Sequence, residues 1–359
     1  MPAAPSVSAP REIAVRRQPR RGLWLSAMGA LALAACAPGS AINPGGDGLA
    51  GDGLAGDALL PDSFVDASYG GHGYKLYTPP QLDPATQRAP LLVVLHGCGQ
   101  SPQEMADLTG INALAAVHHL FVLYPEQSAA ANVQRCWRWF DALQQSRSGS
   151  EPAWLAELTE FVTVQQPVDS ARRYVIGMSA GAAMAVILGA TYPDLFAAVG
   201  SVAGLEFGAA SSALGASTAM LLGGPAPAVQ GAIAHAAMGI HARVMPVILF
   251  QGTADGVVAP VNVEQLVGQW AQTNDLAFNG VDDDAIDAVA DDAVDFSPAA
   301  ARLYRVESFY DAAATPMIEA VTITGAGHAW PGASGLLGDP LGPDATAMIW
   351  QFLAGLRAP

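Results

Sequence analysis

A serine nucleophile is indicated by the pentapeptide G-M-S-A-G at residues 177–181. The motif follows a short apolar run at 174–176 and precedes an alanine-rich stretch of helical length. A tight turn from a strand into a helix leaves no room for side chains at the glycine positions and raises the serine hydroxyl above the strand. The amides of the following helix face a developing negative charge. Ser179 is therefore the candidate nucleophile for acyl transfer.

A serine hydroxyl needs a general base, and the base needs a carboxylate that fixes its tautomer. Asp255 follows the apolar run at 247–250, and His328 follows the run at 321–324. Both therefore come at strand ends, where such sites form. Five other histidines end a helix, precede the first strand or lie in an alanine-rich region: His72, His118, His119, His235 and His241. The chain order Ser, Asp, His is that of α/β-hydrolases.

The loop L-H-G-C-G-Q at 95–100 also follows a buried strand, and it has the His-Gly pattern of an oxyanion loop. Its glycines would let backbone amides approach a carbonyl oxygen. We expect the amides of Cys98 and Ala180 to form the oxyanion hole. His96 is expected to pack beneath the loop without reacting.

The elements that must position these residues alternate along the chain. Apolar runs without polar alternation predict strands buried on both faces at 91–95, 120–124, 174–176, 198–202, 247–250 and 321–324. Segments with helical length and apolar spacing lie at 101–118, 151–165, 179–190, 262–272 and 343–356. This alternation predicts an α/β fold, with a mostly parallel central sheet and helices on both faces.

Two segments depart from this alternation. The stretch 205–243 is rich in Ala, Gly and Ser and predicts a cap or mobile helices. The stretch 274–300 holds eight aspartates and no basic residue, which predicts a solvated surface insertion. It lacks the spacing of an EF-hand loop, so we expect no metal site there.

The charge balance argues against nucleic acid as a partner. The chain has 16 basic and 32 acidic residues, and Lys75 is its one lysine. Phosphate-rich partners are bound through clustered Lys and Arg. With 51% hydrophobic residues the chain is too apolar to be disordered. We expect a globular protein, a monomer, that needs no cofactor.

The N-terminus predicts an export signal. A basic patch at 16–21 precedes an apolar run at 22–35 that is too short to span a bilayer, which is typical of a signal peptide over residues 1–35. Leu33–Cys36 resembles a lipobox, and lipidation of Cys36 would hold the protein at a membrane surface, with the outer membrane favoured by Ala37. The alternative is an ordinary cleavable signal.

Glycine, alanine and aspartate dominate residues 36–62, which predicts a flexible tether before a catalytic domain at 63–359. If Cys36 is lipidated, Cys98 and Cys136 remain as an even pair in an exported protein. We expect a disulfide between them that pins the oxyanion loop to the segment at 136–140. Two free buried thiols are the alternative.

Seven ordered blocks together resemble the poly(3-hydroxybutyrate) depolymerase family of esterases, which includes feruloyl and acetylxylan esterase relatives. They are LHGCGQSPQEMA at 95–106, YPEQS at 124–128, CWRWFD at 136–141, GMSAGAAMA at 177–185, ATYPDLFAAVGSVAG at 190–204, GTADGVVAPVN at 252–262 and GAGHAWPG at 325–332. The resemblance covers roughly residues 70–356. It implies a secreted α/β-hydrolase that forms an acyl-enzyme.

Carried over by position, the resemblance makes Ser179 the nucleophile, Asp255 the orienting carboxylate and His328 the base, with Cys98 and Ala180 as oxyanion donors. Three tryptophans would form apolar walls for a polyester chain, unless they belong to the core: Trp137, Trp139 and Trp330.

The expected substrates are poly(3-hydroxyalkanoate) polyesters or their oligomers. No polymer-binding module is recognised after His328, which favours amorphous or oligomeric material. One alternative is a feruloyl or acetylxylan esterase acting on plant polysaccharide. Another is a non-catalytic surface lipoprotein on an esterase scaffold.

Overall fold

A ten-stranded sheet is the centre of the fold in the computed structural model, which describes residues 59–311 and 313–358. The predicted signal peptide, Cys36 and nearly all of the tether lie outside the described residues. The strands are Ser63–Tyr69 (β1), His72–Thr78 (β2), Ala89–Leu95 (β3), Phe121–Pro125 (β4), Val168–Met178 (β5), Ala198–Val202 (β6), Val247–Gly252 (β7), Asp292–Phe296 (β8), Tyr304–Tyr310 (β9) and Pro316–Ile323 (β10).

The strand order confirms a mostly parallel sheet. It runs β1-β2-β4-β3-β5-β6-β7-β10-β9-β8. The strands from β4 to β10 in this order are parallel to one another, and antiparallel pairs extend the sheet at both edges. Because β5, β6, β7 and β10 are consecutive neighbours, the loops after their carboxyl ends meet at one edge of the sheet.

Helices cover both faces of the sheet, as predicted. They are Pro102–Thr109 (α1), Ile111–His118 (α2), Ser150–Gln165 (α3), Ala180–Thr191 (α4), Ala213–Leu222 (α5), Pro227–Met238 (α6), Val261–Asn279 (α7) and Ala345–Leu353 (α8). Short 3₁₀ turns occupy Ala142–Gln144 and Gly239–His241, and Trp330–Pro331 (β11) pairs in parallel with Gly338–Asp339 (β12). Buried residues of α3 to α7 pack on one face, and those of α1, α2 and α8 pack on the other.

The central strands are apolar on both sides because each side meets a helix layer. In β3, Leu91 and Leu95 belong to one hydrophobic cluster, whereas Leu92 and Val94 belong to the other. All seven residues of β3 are buried. This burial explains why the parallel strands show no polar alternation in the sequence.

Local boundaries differ from the predicted ones where backbone geometry intervenes. The helix predicted at 101–118 is two helices, because Gly110 adopts a left-handed conformation (φ 62°) and its amide caps α1 at Ala106. The alanine-rich stretch 205–243 forms α5 and α6. Ala234 and Met238 of α6 are buried in the same cluster as α4 and α7.

The prediction of a solvated insertion over 274–300 is wrong at its start. Helix α7 continues to Asn279, and Asn274 and Asp275 are buried. Asn274 exchanges two hydrogen bonds with the backbone of Met245, and the Asp275 carboxylate accepts the amide of Ile286 at 3.1 Å. A polar side chain can be buried when its hydrogen bonds are satisfied in this way. The segment ends in an exposed edge strand, β8, after an exposed acidic turn.

Within the part of the chain that the structure describes, no group of three or more His, Cys, Asp or Glu side chains could hold a metal ion. The described helices include none that is both long enough and apolar enough to cross a membrane.

Glu206 is a buried carboxyl group in the loop after β6. It is 3% exposed, and neither carboxylate oxygen has a hydrogen-bond partner among the described residues. A Cβ placed at Gly224 would lie 2.6 Å from Glu206 Oε1, so the carboxyl lies tightly against that backbone. Burial raises the pKa of Glu206 to about 8. The folded protein therefore holds a proton there that the unfolded chain releases near pH 4.5.

We expect the free energy of unfolding to fall as the pH rises from about 4.5 to about 8, by up to about 1.4 kcal/mol per pH unit from this group. The sign follows because the folded state binds the proton more tightly throughout this window. Glu206→Gln should remove the share of this dependence that Glu206 contributes, measured by urea unfolding at pH 5 and pH 8. The exposed Glu157→Gln is the control, and equal slopes in all three proteins would contradict the expectation.

Candidate active site

Ser179 lies at the turn between β5 and α4, and its backbone has φ 57° and ψ −123°. A positive φ is strained for serine and is typical of a nucleophile elbow. The flanking backbone is too close for side chains: a Cβ at Gly177 would lie 2.3 Å from the carbonyl carbon of Gly181. A Cβ at Gly181 would lie 2.2 Å from the oxygen of Leu95. The spacing of the motif is therefore a steric requirement of this turn.

The oxyanion loop lies beside Ser179. A Cβ at Gly97 would be 3.5 Å from the Ser179 Cβ. On the other side, the Ser179 amide donates to the oxygen of Val202 at the end of β6, at 2.9 Å. The Ser179 side chain is partly exposed between these two segments.

Asp255 and His328 form the first hydrogen bond expected of a triad, with His328 Nδ1 and Asp255 Oδ2 separated by 2.8 Å. Asp255 Oδ1 accepts the amides of Val257 at 2.8 Å and Val258 at 2.9 Å. Gln251 Nε2 donates to the second oxygen at 3.2 Å. Every acceptor of this carboxylate therefore meets a donor, although its side chain is fully buried.

The same contacts keep Asp255 ionised. Burial raises the pKa of Asp255, but the hydrogen bond and charge of His328 and the two amides outweigh burial, so the pKa lies below its ordinary value. By accepting the Nδ1–H, an ionised Asp255 leaves Nε2 as the acceptor whenever the ring carries a single proton. This is the tautomer that a general base requires.

Backbone hydrogen bonds hold the loops after β6, β7 and β10 at the same edge of the sheet. Ala203 after β6 donates to Phe250 in β7, and Ala254 after β7 donates to Ala326 after β10, each at 2.9 Å. In residues 59–311 and 313–358, no hydrogen bond within 3.5 Å joins the Ser179 hydroxyl to His328. That contact stays a prediction, and catalytic hydrogen bonds often form only with substrate bound.

The loop after β3 has a free amide where the sequence predicts an oxyanion donor. Gly97 donates to Gln100 Oε1 and Gly99 donates to the oxygen of Gln134, each at 2.8 Å. Among the described residues, neither the Cys98 amide nor the Ala180 amide at the start of α4 has a hydrogen-bond acceptor. Both remain available to an anionic oxygen, as an oxyanion hole requires.

The predicted disulfide is confirmed. Cys98 and Cys136 are bridged, with their Cα atoms 4.2 Å apart. The bridge and the Gly99–Gln134 hydrogen bond attach the oxyanion loop to the segment after β4 at two neighbouring points.

His96 packs beneath this loop, as expected. Its ring is fully buried, Nδ1 donates to the oxygen of Gly97 at 2.8 Å, and Nε2 accepts the amide of Gln127 at 3.0 Å. Burial lowers the pKa of His96 to about 4, so the ring is neutral. The Trp137 indole donates to the oxygen of His96 at 3.0 Å. His96 thus holds the loop in place.

Sequence reasoning missed the buried carboxylate of Glu151. It accepts from Gln127 Nε2 at 2.6 Å, from the Arg138 amide at 2.7 Å and from Arg138 Nε at 3.1 Å. These bonds fix the segment that carries Cys136. Its two partners, Gln127 and Arg138, lie in the motif blocks YPEQS and CWRWFD, which is the one hint that the sequence offers. Glu151 itself lies outside the blocks.

The expectation that three tryptophans form walls for a polyester chain is wrong in this structure. Trp137 and Trp330 are 0% exposed and Trp139 is 5% exposed. Trp330 packs in the core near α8, where its indole donates to Thr346 Oγ1 at 3.0 Å. All three complete the hydrophobic clusters and offer no surface to a substrate.

Comparison with known proteins gives a family match and several relatives. The family model described as esterase PHB depolymerase matches residues 72–290. A poly(3-hydroxyalkanoate) depolymerase C of Paucimonas lemoignei is 32% identical over 247 residues, covering 68% of this chain and 55% of its own length. A feruloyl esterase B of Talaromyces funiculosus is 24% identical over 220 residues, covering 57% of this chain and 59% of its own length. The chain thus spans little more than half the length of these curated relatives.

Among solved structures, an acetyl xylan esterase from Aspergillus awamori superposes with a TM-score of 0.64 at 18% identity. The match covers 81% of this chain and 99% of that one. At this identity the likeness concerns the fold, and it confirms the α/β-hydrolase architecture.

We expect the double variant Cys98→Ser/Cys136→Ser to lower kcat for a p-nitrophenyl ester by about 10-fold or more, with a smaller change in KM. Losing one oxyanion donor entirely costs about 10²- to 10³-fold, and a loosened loop should cost part of that. Steady-state kinetics well below the melting temperature give the measurement, with Ser148→Ala as a surface control. An unchanged kcat in the folded double variant would show that the bridge does not position the Cys98 amide.

Proposed function

Because the chain belongs to the esterase PHB depolymerase family, we propose that it is a serine esterase that hydrolyses esters through an acyl-enzyme. The observation that carries this proposal is the partly buried Asp255–His328 hydrogen bond at the sheet edge where the Ser179 turn also lies. The unpartnered amides of Cys98 and Ala180 in the described structure support it.

In the proposed reaction, Ser179 Oγ attacks the ester carbonyl carbon while its proton passes to His328 Nε2. Asp255 stabilises the imidazolium that forms, and the amides of Cys98 and Ala180 donate to the carbonyl oxygen as it becomes negative. The tetrahedral intermediate collapses, and His328 returns the proton to the leaving alcohol. Water then attacks the acyl-enzyme with His328 again as base, which releases the acid and restores Ser179.

We propose hydroxyalkanoate polyesters or their oligomers as substrates. The support is the relative described as a poly(3-hydroxyalkanoate) depolymerase, the one with the highest identity among those compared above. A second candidate, acetyl or feruloyl ester cleavage on plant polysaccharide, is favoured by the relative described as feruloyl esterase B. A non-catalytic role is disfavoured because all three triad residue types are present.

We further propose that residues 1–35 are an export signal, that Cys36 carries the lipid anchor and that residues 36–62 tether a monomeric catalytic domain at 63–359. The pattern of basic and apolar residues supports the signal. The Cys98–Cys136 disulfide supports an oxidising destination, because such bonds are rare in reducing compartments. The outer membrane is the favoured site of anchoring.

We expect Ser179→Ala to lower kcat by at least about 10⁴-fold on every ester that the wild type cleaves, because the nucleophile is lost. The panel is soluble 3-hydroxybutyrate oligomers, methyl ferulate and acetylated xylan, and turnover of the oligomers should be highest. Ser201→Ala, on the neighbouring strand β6, is the matched control. Activity that survives Ser179→Ala would overturn the mechanism, and preference for ferulate or acetyl esters would favour the second candidate.

We expect Cys36→Ser to move the protein from the detergent phase to the aqueous phase in Triton X-114 partitioning, because the thiol that accepts the lipid is absent. Incorporation of an alkyne-labelled fatty acid in a bacterial host should be lost in parallel. Ala37→Ser is the control that keeps the cysteine. A wild-type protein that takes up no label would show that the signal is of the ordinary cleavable kind.

A further inference from the structure

The stretch 207–242 contains none of the chain's 16 basic and 32 acidic residues. It includes α5 and α6, which lie between the strand β6 and the strand β7 in the chain. In a protein with a formal net charge of −16, so long an uncharged segment is unusual for a solvent-facing surface.

Helices α5 and α6 also expose large apolar side chains. We call the exposed apolar side chains of this stretch the uncharged face, and they are Leu214, Leu221, Leu222, Val229, Ile233 and Ile240. Leu214 is 86% exposed and Leu222 is 76% exposed. Leu214 and Leu221 are seven residues apart and so share one side of α5, while Val229 and Ile233, four apart, share one side of α6. An exposed apolar side of a helix is a candidate interaction site.

The uncharged face begins next to the catalytic carboxylate. The last turn of α5 contacts the loop after Asp255, because Met220 O accepts the Ala259 amide at 2.8 Å and Asn262 Nδ2 at 3.0 Å. Val257 in that loop is 45% exposed, and its amide donates to Asp255. Leu221 and Leu222 follow Met220 directly. Whatever covers these side chains therefore lies beside the site.

The absence of charged residues from α5 and α6 indicates which kind of partner the uncharged face binds. Helices that lie on membranes carry Lys and Arg on their polar face, and α5 and α6 have neither. Protein interfaces have a polar rim and are enriched in Arg, which is also absent here. An ester polymer is neutral and apolar, so it neither repels an acidic protein nor needs charged contacts.

We propose that the uncharged face is an adsorption surface that binds solid polyester and presents its chains to Ser179. The proposal rests on the proposed esterase function. It assigns the binding of insoluble substrate to a surface of the catalytic domain. Buried apolar area supplies the attraction, so salt does not screen the adsorption.

The test is the triple variant Leu214→Ser/Leu221→Ser/Leu222→Ser, whose substituted side chains are exposed and belong to neither hydrophobic cluster. In a Ser179→Ala background, which leaves the polymer intact, depletion from amorphous poly(3-hydroxybutyrate) particles measures adsorption. The triple variant should bind the particles at least about 10-fold more weakly. With Ser179 present, polymer hydrolysis should fall in proportion, while kcat/KM for soluble oligomers stays within about twofold.

The matched control is Val117→Ser/Val164→Ser/Val289→Ser, which removes three exposed apolar side chains from other parts of the chain. Adsorption of the triple variant at wild-type strength, or equal losses in the control, would overturn the proposal. The wild type is also tested on phosphatidylcholine vesicles. If it binds them as strongly as the polyester particles, and the triple variant loses that binding as well, the partner is a lipid surface and the proposal is wrong. If the wild type adsorbs to the particles but cleaves no soluble ester, the proposed esterase function fails while the adsorption surface stands.

Discussion

The backbone contact between residues 177–181 and the end of β3 is the constraint on which the site depends. Only glycine fits at Gly177 and Gly181, and the helix that starts at Ala180 can approach the Leu95 carbonyl only for that reason. This contact brings the Ser179 turn and the oxyanion loop together. The order β5, β6, β7, β10 then supplies Asp255 and His328 from the same edge of the sheet.

Two buried polar groups near the site show how local donors decide charge. Asp255 accepts two amides, a glutamine side chain and His328, and it remains an anion although it is buried. His96 meets only one backbone oxygen and one backbone amide, and burial keeps its ring neutral. In the mechanism that we propose the first group serves proton transfer, whereas the second fixes the shape of a loop. Burial alone would drive both groups to their neutral forms.

The sequence predicts those parts of the fold that depend on local pattern. Double-sided burial makes the parallel strands continuous apolar runs, and glycine spacing marks the turn at Ser179. The edge strands β1, β2, β8 and β9 are short or half-exposed and leave no such pattern. The burial of Asp275 depends on amides eight to eleven residues away, which no spacing rule contains.

Side-chain roles were harder to predict than positions. An indole beside a catalytic motif looks the same in the sequence whether it faces a substrate or the core, and Trp330 proved to be core. The disulfide followed from counting cysteines, whereas Glu151, which hydrogen-bonds the same segment, lies outside the motif blocks and was missed. Hydrogen bonds between segments that are distant in the sequence cannot be predicted from the sequence of one protein.

The disulfide between Cys98 and Cys136 ties the final structure of the loop after β3 to redox surroundings. Where thiols are kept reduced, that link does not form, and the loop is held by the Gly99–Gln134 hydrogen bond and the packing around His96. With the esterase function and the export that we propose, oxidation becomes an assembly step, and full hydrolytic power arises only after the polypeptide leaves the compartment of its synthesis. A cell that made this protein would thereby shield its own interior esters.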